Sequence, residues 1–407
     1  METVDRIFVN AACKRRNITW RFRRAFPAAS VIEVQREAEI RQILTHPDKR
    51  SAYIGPRRSP FVSRFRCPGG VICAPFWKFT AETECLYSCH YCYLALTMRT
   101  IPYYRVASNV EDGLAELERT LSEQARRGAT AMFNVGELAD GRLLDPVTGF
   151  SRQLLPLIHD HPNGMLHVLS KAGTSSISNY LELSDLARGR IIHVASINPQ
   201  PIIDLTEGET PRLRDRLVAL RHLGEAGYRI RVRIDPIFDL RHLDGSGSDA
   251  FGVYRDMVDE VREYCAPEMV TLGSYRPSPG LIPHLRRRYP GSPVWRIETE
   301  RAWPKRRLEG RETFYARIAG WVRKRFPSAV VALCKESREA WKAAGLSPAP
   351  LQCSCLPLHD ERRHVQDGKR SGARVRVPGV TNRISPLSRA AGAGQGGRTQ
   401  VLARGHP

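Results

Sequence analysis

The sequence predicts an α/β protein centred on a partial (β/α)6 barrel. Three observations carry this. Between residues 129 and 275, short runs rich in β-branched residues alternate with segments of helical period, the pattern of repeated β–α units joined into a parallel sheet. A strand-like stretch, FWKFT (76–80), precedes that alternation. Three cysteines, Cys85, Cys89 and Cys92, follow it, where the first loop of such a barrel would lie. Chemistry in these folds sits at the C-terminal ends of the strands. The barrel is placed at 67–280. A basic N-terminal extension (1–66), a small C-terminal α/β appendage (281–360) and a disordered basic tail (361–407) complete the chain.

In order, residues 1–66 show one helical pattern, VIEVQREAEIRQIL at 31–44. Trp20, Phe22 and Phe26 are interleaved with arginines; they either stack on bases or anchor the extension to the core. Behind the cysteines a helix is predicted over 109–128, with Asn109 as N-cap and Gly128 as stop. Strands follow at 129–137, 165–171, 190–198, 228–237 and 269–275. The helices between them fall at 150–161, 177–187, 210–227 and 249–265, with Pro211 in the first turn of the third. Polar residues at the strand ends are Asn134, Glu137, Lys171, Ser196, Asn198, Asp235, Ser274 and Arg276. Residues 276–310 read as irregular, 312–326 as a helix and 328–335 as a strand. Beyond about residue 364 large apolar residues give way to Gly, Ser, Arg and Pro, a composition that cannot bury a core.

The formal net charge is +21. The tail accounts for part of it, and basic clusters at 14–24, 57–66, 284–289 and 304–311 for more. A positive field of this size fits a polyanionic partner, nucleic acid and DNA first among them; an arginine-rich solvated surface is the alternative. No stretch approaches bilayer-spanning length, and the N-terminus lacks a charged-then-apolar signal pattern. The expectation is a cytoplasmic protein with no membrane partner. Ten cysteines in 407 residues are too sparse for a disulfide framework and, being clustered, point to metal. Composition says nothing about oligomeric state.

The cysteines stand in CLYSCHYCY (85–93), at C-x3-C-x2-C spacing. Three thiols this close cannot all pair as disulfides. Three thiolates can hold a [4Fe-4S] cluster with one iron left open for a substrate or cofactor. The spacing, with Tyr91 before the last cysteine, is the signature of radical S-adenosyl-L-methionine (SAM) enzymes, whose barrel is of this partial type. A zinc site is the competitor, but zinc takes four ligands, and His90 is poorly placed to share a metal with its neighbour Cys89. A plain core strand is the third reading, against the polar and aromatic surroundings.

Several further stretches resemble the spore photoproduct lyase family. They are CHYCYL (89–94), PYYRV (102–106), SKAG (170–173), SIN (196–198), EGETPRLRDRLVALRHLGEAGY (207–228) and DPI (235–237). The resemblance implies a DNA-repair lyase. Such an enzyme uses a one-electron reductant and cleaves SAM to a 5′-deoxyadenosyl radical. It then splits a thymine dimer joined through its methyl carbon, flipped out of the duplex. Carried over by residue, Cys85, Cys89 and Cys92 are cluster ligands, Tyr91 and Tyr93 are catalytic, and Lys171, Ser196 and Asn198 hold SAM. The plain alternative is a strand-end lysine and a turn.

One departure stands out. The family's hydrogen-donor cysteine lies in the loop after the second strand, and the matching stretch, FNVGELAD (133–140), has none. Another thiol or a tyrosine then performs that step, or the chain acts on a different nucleic-acid or protein substrate. Cys67, Cys73, Cys353 and Cys355 are candidates for a second metal site or for the missing thiol. Cys13, Cys265 and Cys334 read as buried bystanders. A non-catalytic, zinc-binding nucleic-acid protein is the reading of a different class.

Overall fold

The computed structural model describes residues 4–44, 48–67, 69–100, 103–186, 188–245, 249–302 and 305–358. The tail expected to be disordered lies outside them. The main sheet has eight strands: β1 (Val62–Phe65), β2 (Phe76–Phe79), β3 (Ala131–Val135), β4 (Gly164–Ser170), β5 (Ile191–Ile197), β6 (Arg229–Ile237), β7 (Met269–Ser274) and β8 (Val330–Leu333). Their spatial order follows the chain from β1 to β8 without a swap. β1 pairs antiparallel with β2, and every later pair is parallel. Strands β4, β5 and β7 are buried almost throughout, as parallel strands covered on both faces must be. The six predicted barrel strands are β2–β7. The strand expected in the C-terminal appendage is β8, an added edge of the same sheet.

The helices between strands bury one face each. The predicted helices at 109–128, 150–161, 210–227 and 249–265 form at Val110–Arg126, Ser151–Asp160, Leu213–Glu225 and Gly252–Tyr264. Gly128 ends the first with φ +64°, a conformation glycine takes without steric cost. Asn109 precedes that helix but does not cap it by its side chain. Its amide instead exchanges hydrogen bonds with the Arg57 backbone, at 2.8 and 3.1 Å.

The N-terminal residues are more ordered than composition suggests. Strands Ser30–Val34, Arg6–Asn10, Ser51–Gly55 and Tyr104–Ala107 lie side by side in parallel, and Glu82–Thr83 adds an antiparallel edge. The helix expected at 31–44 is therefore corrected. Val31, Ile32 and Val34 form a strand, and only Glu37–Ile43 turns helically. The β-branched residues favour the pleated state over the helical period of their neighbours. A helix forms instead at Asn17–Ala25, where Phe22 and Phe26 are buried and Trp20 is exposed. Residues 276–310, read as irregular, hold a helix at Leu281–Arg288 and a hairpin of Thr299–Ala302 with Lys305–Leu308.

Between β8 and β1, where the sheet is open, an isolated bridge among the described residues joins Ile72 to Glu336. The segment 354–356 is held by side chains of β3, β4 and β6. Asn134 on β3 donates to the Cys355 carbonyl at 3.2 Å, and His167 on β4 meets the Ser354 hydroxyl at 3.0 Å. Arg231 on β6 donates to the carbonyls of Ser354 and Leu356 at 2.7 and 2.9 Å. Three polar side chains inside the sheet thus find their partners in backbone far along the chain.

Candidate active site

The cysteine loop runs from the antiparallel edge at Glu82–Thr83 to the helical turn at Leu94–Thr97. Ser88–Cys89 pairs antiparallel with Glu207–Gly208, and His90 N–H donates to the Thr206 carbonyl at 2.8 Å. The loop is therefore fixed by backbone that follows β5, more than a hundred residues later in the chain. Lys49, from the N-terminal sheet region, clamps its start. Its ammonium pairs with the buried Glu84 carboxylate and donates to the Cys85 carbonyl at 2.6 Å. Burial alone would lower the Lys49 pKa, but Glu84 and the neighbouring thiols raise it above its ordinary value, so the lysine is a fixed cation.

Cys85, Cys89 and Cys92 are all free thiols. Burial raises each pKa: Cys85 well above its usual range, Cys89 to about 12, and Cys92 less far, with Leu94 N–H donating to its sulfur. Cys92 also raises the other two, so protein groups alone leave them neutral. Soft thiolates stabilised by a metal reverse that balance. Among the described residues no three His, Cys, Asp or Glu side chains converge closely enough to hold one ion. A polynuclear cluster places each thiolate on its own iron and does not require that convergence, so the donor set fits a cluster.

Beside the loop lies a buried charge network centred on Glu207. Its Oε1 accepts from Lys171 Nζ at 3.0 Å, from Asn198 Nδ2 at 3.2 Å and from the Tyr91 hydroxyl. Its Oε2 accepts from Arg216 at 2.7 Å. Burial would raise the Glu207 pKa, but Lys171 and Arg216 outweigh it and hold the carboxyl well below the usual carboxylate range. Lys171 Nζ also donates to Ser196 Oγ at 2.9 Å and lies over the Tyr91 ring. Arg216, fully buried, donates to the Ser196 carbonyl at 2.9 Å. Asp140 orients the lysine by accepting its backbone N–H at 2.7 Å and the Ser170 hydroxyl at 2.6 Å.

The structure thus brings Tyr91, Lys171, Ser196 and Asn198 into one network against Cys89. Asn198 Oδ1 is buried without a hydrogen-bond partner, an acceptor available to a donor arriving from outside. Tyr93 stands apart, partly exposed, its hydroxyl donating to the Glu137 carbonyl. Sequence reasoning missed Glu207, Arg216 and Lys49. The signal for the first two was present: Glu207 opens, and Arg216 lies within, the EGETPRLRDRL stretch. In the loop after β3, Gly136 takes φ +99° and a Cβ there would meet the Leu169 carbonyl at 2.5 Å, so only glycine fits. Cys67 and Cys73 form a disulfide, an arrangement that neither of the two roles left open for them, a second metal site or the missing thiol, includes.

A profile of the spore photoproduct lyase family matches residues 75–303 of 407, more than half of the chain. A spore photoproduct lyase of a Geobacillus species is 26% identical over 179 residues, which cover 44% of this chain and 50% of that one. The Bacillus subtilis enzyme is 27% identical over 156 residues, 38% of this chain and 44% of that one. The chain spans about half the length of the curated relatives it matches. A solved spore photoproduct lyase variant with bound AdoMet and dinucleoside spore photoproduct superposes with TM-score 0.67 at 18% identity, covering 81% of this chain and 99% of that one. That likeness fixes the fold as the same partial barrel. With the profile spanning the cysteine loop, the Glu207 network and strands β2–β7, the chain belongs to the spore photoproduct lyase family.

Proposed function

We propose that this protein is a radical SAM lyase that repairs thymine photodimers in DNA. The observation that carries the reading is that the loop of three free thiols is paired, through Ser88–Cys89 and Glu207–Gly208, to the Lys171–Ser196–Asn198–Glu207 network at the C-terminal ends of β4 and β5. With SAM and a one-electron reductant, a [4Fe-4S] cluster bound here would supply a 5′-deoxyadenosyl radical. Cys85, Cys89 and Cys92 would hold the cluster. Lys171 and Ser196 present a cation and a hydroxyl to a carboxylate, and Asn198 Oδ1 and Glu207 present acceptors to an ammonium, the two charges of an amino-acid end. Tyr91 is held by Glu207, its phenol kept neutral by burial and by that carboxylate. Burial of the network excludes water from the radical chemistry.

Tyr93 and the loop after β3 bear on how hydrogen returns to the product. No thiol stands at 133–140, but Glu137 lines a cleft that also contains Cys353 and Cys355, the thiols best placed for that role. The basic surface, with net charge +21, suits a DNA backbone. The test is an anaerobic assay with reductant, SAM and an oligonucleotide carrying one methyl-bridged thymine dimer. Conversion to two thymines, absent in Cys89→Ala, is expected. SAM cleavage without dimer loss would contradict the substrate, and no cleavage would contradict the radical chemistry.

A further inference from the structure

A second set of cysteines surrounds the open side of the barrel. Cys67 and Cys73, in the connection between β1 and β2, are joined as a disulfide. Cys353 and Cys355 are buried against Phe76 and are free. The two pairs share a cleft: Cys73, Phe76, Glu137, Arg233, Cys353 and Cys355 line it together. The disulfide also has an outer side, facing a separate cleft lined by Arg64, Arg66, Val71 and Pro75. One disulfide therefore stands between the basic outer surface and a buried dithiol.

The dithiol has the asymmetry that exchange needs. Cys353 and Cys355 lie together in the buried cluster around Phe76, and their interaction lowers the Cys353 pKa while raising that of Cys355. The Arg233 guanidinium lines the same cleft and donates to the Cys334 sulfur at 2.7 Å. A thiolate formed at Cys353 would therefore lie beside a fixed cation, with a disulfide sulfur across the cleft. Thiol–disulfide exchange proceeds by attack of such a thiolate on a disulfide sulfur.

We propose that Cys67, Cys73, Cys353 and Cys355 form a thiol–disulfide relay that passes one disulfide between the outer cleft and the barrel wall. Cys353 attacks Cys73: the 353–73 sulfur bond forms, the 67–73 bond breaks, and Cys67 leaves as a thiolate that takes up the proton Cys353 released. Cys355 then attacks Cys353: the 353–355 bond forms, the 73–353 bond breaks, and Cys73 leaves with the proton from Cys355. One disulfide and one dithiol are present before and after, so no external oxidant is consumed. The outer pair, once disulfide-bonded, is open to a dithiol reductant, which gives up two electrons and two protons and becomes a disulfide. The relay stands on these side chains alone and does not depend on the reaction assigned to the Cys85 loop.

The test maps disulfides in the full-length holoprotein equilibrated anaerobically in graded ratios of reduced to oxidised dithiothreitol, alkylated and digested for mass spectrometry. The relay predicts that molecules with one disulfide carry it at either 67–73 or 353–355. It also predicts that C67S/C355S gains a 73–353 link as its dominant disulfide, while Cys13 and Cys265 stay alkylated. A wild-type disulfide found only at 67–73 at every ratio would overturn the proposal, whether or not the double variant folds. So would four cysteines protected from alkylation by zinc or extra iron and released by a chelator.

Discussion

Two groups of thiols share this fold and are held in opposite ways. Cys85, Cys89 and Cys92 sit on a loop fixed by backbone pairing to Glu207–Gly208 and by the Lys49–Glu84 ion pair. None of them bonds to another thiol. Cys67 with Cys73, and Cys353 with Cys355, are matched two by two, the first covalently and the second by burial in one cluster. The surroundings differ in the same sense. The first group is backed by a fully ion-paired carboxylate; in the second, Cys353 and Cys355 pack with the stacked rings of Phe65 and Phe76. Thiols kept apart by rigid backbone cannot satisfy one another and need an electropositive group. Thiols placed in pairs can exchange protons, electrons and bonds among themselves.

The largest expected effect separates the two groups outright. Cys89→Ala should lose the bound iron, its visible absorbance and all SAM cleavage; a coloured, SAM-cleaving variant would break the distinction. Next is the network behind the loop. Arg216→Met leaves Glu207 buried with one cation fewer, and removing one partner of a buried pair costs about 3–5 kcal/mol. Urea denaturation reads this directly, and a loss below about 1 kcal/mol would place it among ordinary exposed ion pairs.

Lys171→Met removes a charge-assisted contact worth about 1.5–3 kcal/mol, so SAM affinity should fall roughly ten- to hundredfold, measured by equilibrium binding to the reconstituted protein. The Glu207 carboxyl is depressed in the fold. Its stabilising contribution is therefore present above the unfolded value of about 4.3 and is lost as pH falls toward the folded one. The stability gap between wild type and Glu207→Gln should shrink steadily on acidification below about pH 4, and a gap independent of pH would contradict the assignment. The smallest effect sharpens the comparison from the other side: Cys353→Ser should leave iron content unchanged.

What the sequence made legible follows its local physics. Strands β2–β7 were readable because each is a short β-branched run followed by a helix of regular period, and the spacing of the cysteines named their own chemistry. The N-terminal sheet was not, because RIFVN and SAYIG are too short to show a period and the charged residues at 33–41 imitate a helix. Lys171, Ser196 and Asn198 were found as strand-end residues and through family likeness. Glu207 was not, because its role arises from pairing with Cys89, across the barrel mouth rather than along the chain. Lys49 reaches Glu84 through the parallel strands beside it, a tertiary contact with no local signature. The pairing of Cys67 with Cys73 was equally hidden, since C-x5-C spacing leaves bond and metal both open.

The central claim is that the Cys85 loop and the Glu207 network form one site, in which the three cysteines would hold a cluster and Lys171, Ser196 and Asn198 would hold SAM. Electron paramagnetic resonance of the reduced, reconstituted protein before and after SAM addition tests it most directly. The account predicts a four-iron cluster signal that changes on SAM addition in wild type, with the change weakened in Lys171→Met. A signal indifferent to SAM, or a protein that holds zinc and gives no signal, would contradict it.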